Sequence, residues 1–355
     1  MVTTDKVNTR ESSFELIRIL AQFFIVFYHI FLFFIYPTTD EPFHKAIWLP
    51  LHIGVILFVL ISGYFCIKPS IKGFIKLIGM MVVLYLPLGV ANYLIMGGGK
   101  RELASFALIV SATPFWFMRT YVFLYLFSPV INLYLRNSTL IKRFYIILVL
   151  GFISHYVGTI GMDPSLLDGK NLVTFLFLYV IGNTLHHYEA IWKKIPSYWY
   201  GIVFICVNIV LVVIFSLFTG RIVDAIYERL FFRYCSFGLL VSSLLFFMWI
   251  GGISFKSRFI NYIAKSSLAI YMIHGAGLIF FNIIGPISLY LLRLSSNEFQ
   301  LFILIFLLTV IIVTCCIIID KLLNPIWDII NNLGERLQKS VLSLNLFGEP
   351  LNSVK

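Results

Sequence analysis

The chain has 355 residues, of which 60% are hydrophobic, 17% aromatic and only 12% charged, and its mean hydropathy is +0.95. A soluble domain typically carries about 25% charged residues, so this composition excludes an ordinary water-soluble globule. The formal net charge of +11 would indicate nucleic-acid binding if the basic residues clustered on one polar domain. They lie instead in short loops between apolar runs, which is typical of membrane topology.

Long apolar segments recur through most of the chain, and a spanning helix needs about 20 such residues. They predict an all-α, polytopic membrane protein with about ten transmembrane helices. The predicted spans are 14–35, 47–66, 73–96, 115–135, 141–161, 171–188, 198–219, 229–251, 266–291 and 299–320. A shorter apolar stretch, 103–113, is predicted to lie at the interface or to re-enter the membrane.

Three regions follow from this pattern: an N-terminal segment (1–13), a transmembrane domain (14–320) and a C-terminal tail (321–355). The first span is longer than the apolar region of a signal peptide and lacks a cleavage site, so it is predicted to be retained. The tail carries apolar residues at helical spacing among polar ones, a pattern typical of a helix lying on the membrane surface.

The distribution of basic residues predicts that both termini are cytoplasmic. With the N-terminus inside, the predicted cytoplasmic segments hold 17 of the 27 Lys and Arg residues, and the predicted outer loops hold 7. Cytoplasmic loops of membrane proteins carry an excess of Lys and Arg. An even number of spans and a cytoplasmic N-terminus therefore support each other.

The first span contains three residues that are costly to bury in lipid: Glu15, Arg18 and His29. Eleven positions separate Arg18 from His29, which places both on one helix face about 16 Å apart along the axis. Glu15 lies three residues before Arg18 and is predicted to pair with it. Such residues usually face the bundle interior or a wet cavity. The alternative is that Arg18 only extends to the cytoplasmic surface and that His29 is a satisfied polar residue.

The later spans add weaker candidates. Lys68, Lys72 and Lys76 form a basic strip at helical spacing, which suits a phosphorylated ligand, although the pattern favours a plain cytoplasmic flank. His274 lies in the ninth span and is a functional candidate by the same argument as His29. His186 and His187 have no acidic or Cys neighbours at ligand spacing, so no metal site is predicted.

Short motifs follow one another along the chain: Glu15-Leu-Ile-Arg18 with His29, Leu60-Ile-Ser62-Gly63-Tyr64, Phe115-Trp116-Phe117, Tyr125-Leu-Phe-Ser-Pro129 and Ile270-Tyr271-Met-Ile-His274. Taken together, these motifs resemble those of the acyltransferase 3 family, membrane acyltransferases that modify surface carbohydrates. The Arg-x10-His pattern of the first span is the most specific of them, and the order of the motifs matches over essentially the whole chain.

The resemblance implies transfer of an acyl group, usually acetyl, from cytoplasmic acyl-coenzyme A to a hydroxyl of a cell-surface or lipid-linked polysaccharide. It implies an integral, multi-pass protein of the bacterial plasma membrane, with acyl-CoA as donor, a glycan as acceptor and no metal. His29, Arg18 and Glu15 are the catalytic residues that it implies.

Binding residues are expected as well. Lys72, Lys76 and Arg18 are predicted to bind the donor, although the family often has an Arg-x-x-Arg pair where this chain has the two lysines. Lys neutralises phosphate as a point charge but lacks the guanidinium fork. The residues predicted to contact the substrate are Trp116, Arg119, Tyr271 and His274.

His29 is expected either to remove the hydroxyl proton or to carry the acyl group transiently. Two other functions compete with this hypothesis. One is a secondary transporter or flippase for a sugar-linked substrate, although no internal repeat is visible and carboxylates are few in the later spans. The other is a non-catalytic membrane scaffold, which would leave the polar residues without a shared cavity.

Overall fold

The computed structural model describes residues 11–35, 37, 51–97, 99, 106, 108–110, 115–217, 228–234 and 236–343. Within these ranges every regular element is a helix, which confirms the predicted all-α class. Residues 1–10, 47–50, most of the predicted interfacial stretch 103–113 and the tail beyond residue 343 lie outside the described residues.

The α-helices of the described ranges are numbered here in chain order. They are α1 (Ser12–Ile30), α2 (Gly54–Tyr64), α3 (Ile71–Met96), α4 (Trp116–Arg136), α5 (Leu140–Gly151), α6 (Leu172–His187), α7 (Glu189–Trp192), α8 (Ser197–Leu217), α9 (Phe237–Gly251), α10 (Arg258–Ile263), α11 (Ser267–His274), α12 (Gly277–Ile279), α13 (Gly285–Leu294), α14 (Glu298–Leu322) and α15 (Asn324–Ser343). Segments of π-helix follow α1 (Phe31–Ile35), α5 (Phe152–Ile160) and α12 (Phe280–Ile284), and another precedes α9 (Glu228–Phe232).

Several helices are long and apolar enough to cross a bilayer, so the chain is an integral membrane protein. Five described helical stretches meet this condition by length and composition: Ser12–Ile35, Ile71–Met96, Leu140–Ile160, Gly277–Leu294 and Glu298–Leu322. Shorter apolar helices occupy other predicted spans, namely Gly54–Tyr64, Leu172–His187, Ser197–Val213 and Phe237–Gly251. The total of ten spans and the cytoplasmic placement of both termini stay predictions.

Helix α1 forms the centre of the bundle. It packs against α2, α9, α11 and α14. Its residues Ile17, Ala21, Val26 and Ile30 are completely buried. A helix in this position offers its polar residues protein contacts on several sides, which is the arrangement that ionisable groups in a membrane require.

Two glycines permit the most extensive helix contact, which joins α2 to α6. A Cβ atom on Gly63 would collide with the backbone carbonyl of Tyr179, and one on Gly182 would collide with the carbonyl of Leu60. Small residues allow such close approach of helix backbones in membranes. The Ser62-Gly63-Tyr64 motif therefore has a packing role at Gly63.

The predicted ninth span, 266–291, is not one continuous helix. α11 ends at His274, and the backbone is extended at Ala276 (φ −66°, ψ 126°) before α12 begins. The π-helical segment Phe280–Ile284 then leads into α13, which has a proline in its first turn. Proline is tolerated there because that N–H would have no helical partner. The break places His274 at the end of a short helix.

The tail forms helix α15, which packs along the first turns of α3. Ile330 contacts the backbone at Gly79, and Gly334 lies against the backbone of Lys72. Because the residue numbers run in opposite directions, the two helices are antiparallel. The apolar side chains that α15 leaves exposed are Ile326, Ile329, Leu333 and Leu337. This exposed stripe matches the amphipathic pattern predicted for the tail.

Candidate active site

The first two turns of α1 hold an ion pair. Arg18 Nη1 donates to Glu15 Oε1 over 2.6 Å, and the guanidinium carbon lies 5.8 Å from the centroid of the Phe65 ring. Glu15 is only 3% exposed, and a buried carboxylate requires a partner. Arg18 is thus held inside the bundle by a carboxylate and an aromatic ring, as the i,i+3 spacing predicts.

Two hydroxyl groups lie close to this ion pair. The hydroxyls of Ser62 and Tyr121 are 3.2 Å apart, and Tyr121 lies close enough to Arg18 for an electrostatic interaction. Ser62 comes from α2 and Tyr121 from α4. The Arg18 region is therefore a polar site lined by three helices.

A pair of histidines lies toward the other end of α1. His29 Nδ1 is 3.0 Å from His274 Nε2, and His274 Nδ1 is 2.6 Å from the carbonyl oxygen of Ile270. His274 is completely buried, whereas His29 is half-buried. The rings of Phe33 and Phe280 meet His29 edge-on with centroids 6.1 Å away. One imidazole is thus enclosed, and the other is half-buried among aromatic rings.

Aromatic residues continue from the histidine pair toward Trp116. His52 stacks on Tyr28 with ring centroids 4.3 Å apart, and its ring lies 6.2 Å from that of Tyr234. Tyr234 in turn lies 5.4 Å from Trp116. We call Tyr28, His52, Tyr234 and Trp116 the aromatic wall. Lys170 Nζ lies 5.8 Å from the Trp116 ring and interacts electrostatically with His29.

A family model described as an acyltransferase domain, Acyl_transf_3, matches residues 11–321, which is most of the chain. The chain belongs to the acyltransferase 3 family. Together with its apolar helices, this makes it a membrane acyltransferase. Neither a curated protein nor a solved structure matches the chain. The family match ends at α14, so α15 lies beyond it.

The other predicted substrate residues of this acyltransferase lie at different distances from the histidines. The Tyr271 ring is buried against Phe115 and Phe117, with its centroid 6.1 Å from that of His274. Arg119 is half-buried one turn beyond Trp116 on α4. Among the contacts of the described residues, none joins Arg119 to the histidine pair.

The predicted donor lysines lie apart from the histidines, at a cleft between α3 and α15. This cleft has a volume of about 680 Å³ and is lined by both Lys72 and Lys76. Lys72 Nζ is 2.5 Å from Glu335 Oε1. The hydrogen bond and charge of Lys72 lower the pKa of the Glu335 carboxyl. Lys72 is therefore engaged with the tail helix, whereas Lys76 lines the same cleft one turn further along.

One tyrosine links this cleft to the Arg18 region. The Tyr125 hydroxyl accepts from the backbone N–H of Ser70, over 2.8 Å, and lies 3.0 Å from its carbonyl oxygen. Ser70 lines the cleft, and Tyr125 follows Tyr121 by one turn on α4. The Tyr125 motif thus anchors the start of α3 beside the lysines.

Sequence reasoning missed His52, Lys170 and Tyr234 as site residues. His52 lies in a predicted span, so the argument applied to His29 and His274 would have identified it. The sequence gives no comparable signal for Lys170, which lies in a loop, or for Tyr234, which follows a turn that contains an arginine. Among the described residues, no group of three or more His, Cys, Asp or Glu side chains could hold a metal ion.

Proposed function

We propose that this membrane acyltransferase transfers an acetyl group from cytoplasmic acetyl-coenzyme A to a hydroxyl of a cell-surface or lipid-linked polysaccharide in a bacterial plasma membrane. The observation that carries the proposal is the histidine pair, in which His29 of the central helix α1 meets His274. A sugar hydroxyl is a weak nucleophile, and an imidazole is the side chain best suited to accept its proton near neutral pH.

His29 is the general base in this proposal. Its Nδ1 faces His274, so Nε2 is the nitrogen left to meet a substrate. Nε2 takes the proton of the acceptor hydroxyl as the oxygen attacks the thioester carbonyl. The new C–O ester bond forms, the C–S bond breaks, and the proton passes from His29 to the coenzyme A thiolate.

Arg18 binds a remote part of the donor rather than the reacting carbonyl. His29 lies eleven positions further along a regular helix, which is about 16 Å along the axis. Acyl-coenzyme A carries phosphates at one end of a long arm and its thioester at the other. A guanidinium held in place by Glu15 is suited to a phosphate oxygen, and binding energy at that end orients the thioester near His29.

The cleft between α3 and α15 supports a donor entry on the cytoplasmic side. Its volume of about 680 Å³ lies within the range of about 300–1,000 Å³ that is usual for small-molecule sites. Lys76 supplies a positive charge there, and Lys72 supplies a second one when it leaves Glu335. Tyr121 and Tyr125 connect this entry with Arg18 along one face of α4.

The aromatic wall supports a sugar acceptor. Sugar rings pack their apolar faces on aromatic side chains, and Trp116 is half-buried rather than enclosed. Lys170 lies above the Trp116 ring and offers hydrogen bonds to hydroxyl or carboxylate oxygens of a glycan. The wall leads directly to Tyr28, the neighbour of His29.

The purified protein, supplied with radiolabelled acetyl-coenzyme A and the host's extracted polysaccharide, tests this proposal. We expect alkali-labile label on the glycan, and no label on the protein when the acceptor is omitted, because His29 acts as a base. Label that stays in acetyl-coenzyme A would contradict the proposed function and favour the transporter or the scaffold. Label trapped on His29 would show an acyl-enzyme instead.

A further inference from the structure

Each hydrogen-bond partner in the histidine pair limits where the protons lie. The carbonyl oxygen of Ile270 only accepts, so the atom 2.6 Å from it, His274 Nδ1, carries a hydrogen and donates. In a neutral imidazole the second nitrogen then has a free lone pair. His274 Nε2 therefore accepts, and the atom 3.0 Å away, His29 Nδ1, donates to it.

This chain of hydrogen bonds leaves one open position. Once His29 Nδ1 carries its hydrogen, the lone pair of a neutral His29 ring lies on Nε2. The opposite tautomer of His274 would place a lone pair against the Ile270 carbonyl, and would direct its Nε2–H at His29 Nδ1. His29 would then carry its hydrogen on Nε2 and could not act as a base there.

Both nitrogens of His274 are thus engaged with protein atoms, and its side chain is completely buried. No ring nitrogen remains for a substrate. The geometry consequently favours a different role for His274 from the substrate contact expected from the sequence.

We propose that His274 is a positioning residue, which holds His29 in the tautomer that accepts a proton at Nε2. This inference rests on the proposed function. When His29 takes the hydroxyl proton at Nε2 it becomes an imidazolium, and its Nδ1–H donates a stronger, charge-assisted hydrogen bond to His274. His274 itself keeps its proton on Nδ1 throughout, and the proposed attack on the thioester is unchanged.

Two amide variants, His274→Asn and His274→Gln, test this role as a matched pair. The Asn amide lies near the position of Nδ1 and donates to the Ile270 carbonyl, but it does not reach His29. The longer Gln side chain places an amide oxygen near the position of Nε2, where it accepts from His29 Nδ1. Both variants put a neutral amide into the same buried site, so their cost to folding is similar.

Steady-state acetyl transfer gives the decisive comparison. General-base catalysis contributes about 10²–10⁴-fold, so we expect His274→Asn to lower kcat by about 100-fold. We expect His274→Gln to recover about tenfold of that loss, with the donor and acceptor KM of both variants close to wild type. Equal kcat in the two variants, or a higher acceptor KM with unchanged kcat, would overturn the positioning role.

Wild-type protein separates this inference from the proposed function. If wild type transfers acetyl and the two variants behave alike, only the role of His274 fails. If wild type itself transfers no acetyl, the proposed function fails. Size-exclusion chromatography in detergent shows whether both variants fold. If His274→Asn does not fold, the comparison of His274→Gln with wild type still decides the question. A His274→Gln variant with under 1% of wild-type kcat would contradict the proposed rescue.

Discussion

At the scale of single residues, the proposed function assigns separate tasks to two groups of α1. Arg18 and Glu15 form a buried pair near the start of the helix, and His29 lies three turns further on. The 11-residue interval between Arg18 and His29 predicts a shared face, because positions at this interval return to nearly the same direction. Glu15, the partner of Arg18, is likewise predictable from its spacing, but the partner of His29 is not, since His274 lies 245 positions from His29 along the chain.

Arg18→Lys isolates the contribution of the guanidinium fork. Lysine keeps the positive charge that Glu15 requires, but it cannot present two parallel donors to a phosphate. Loss of one charge-assisted hydrogen bond, about 1.5 kcal/mol, predicts a roughly tenfold rise in the donor KM with little change in kcat. Initial rates over a range of acetyl-coenzyme A concentrations measure the donor KM and kcat of the variant.

The matched control is Arg258→Lys, at an exposed arginine that begins α10. We expect wild-type kinetics from this variant. If Arg18→Lys lowered kcat and left the donor KM unchanged, Arg18 would act on the transition state and the remote phosphate role would be wrong.

At the scale of helices, the backbone contact between α2 and α6 holds the polar face of α2 in place. Ser62 approaches Tyr121 from α2, while its neighbour Gly63 lies against Tyr179. Moving α2 outward would therefore withdraw Ser62 from the Arg18 region. The role of Gly63 is only partly predictable, because the sequence indicates close approach without identifying the helix that approaches.

Gly63→Ala is expected to destabilise the protein, because its methyl group would meet the Tyr179 carbonyl. Overpacking typically costs about 1–3 kcal/mol, so Tm in detergent should fall by several degrees. Gly277→Ala is the matched control, since a Cβ there has no neighbour nearer than 3.9 Å. An unchanged Tm for Gly63→Ala, measured by thermal denaturation, would mean that the two backbones are less close.

The attachment of α15 rests on packing more than on its ion pair. Lys72 and Glu335 are both exposed, and exposed ion pairs contribute little to stability. Because Lys72 lowers the pKa of Glu335, the small contribution of the pair is present above the ordinary carboxyl pKa. It is lost as the pH falls through the lowered value. The contacts of Ile330 and Gly334 with α3 do not change over that range.

At the scale of the whole molecule, apolar run length is enough to predict the helical class and the positions of most helices. It misses the interruption after His274, because Gly275 and Ala276 are ordinary residues in membrane helices and carry no strong stop signal. It also misses the packing of α15 on α3, since amphipathic spacing predicts an apolar face but does not identify the surface that covers it. The interruption shapes the candidate site, because it ends α11 at the histidine that meets His29.

The side of the membrane that each site residue faces depends on the topology of the whole bundle. The predicted topology places Arg18 toward the cytoplasm and His29 toward the opposite side, so the proposed reaction would carry an acetyl group from a cytoplasmic donor to an acceptor across the membrane. Sealed vesicles with the protein in a single orientation allow radiolabelled acetyl-coenzyme A and the glycan to be supplied on opposite sides.

Transfer of label in these vesicles by wild type, His29→Ala and His187→Ala tests the account most directly. His187 is an exposed histidine at the end of α6, so its variant controls for loss of an imidazole. We expect wild type and His187→Ala to label the glycan. We expect His29→Ala to fold and insert equally well but to lose at least 100-fold in the rate of labelling, because general-base catalysis contributes a factor of about that order. Undiminished labelling by His29→Ala would contradict the account.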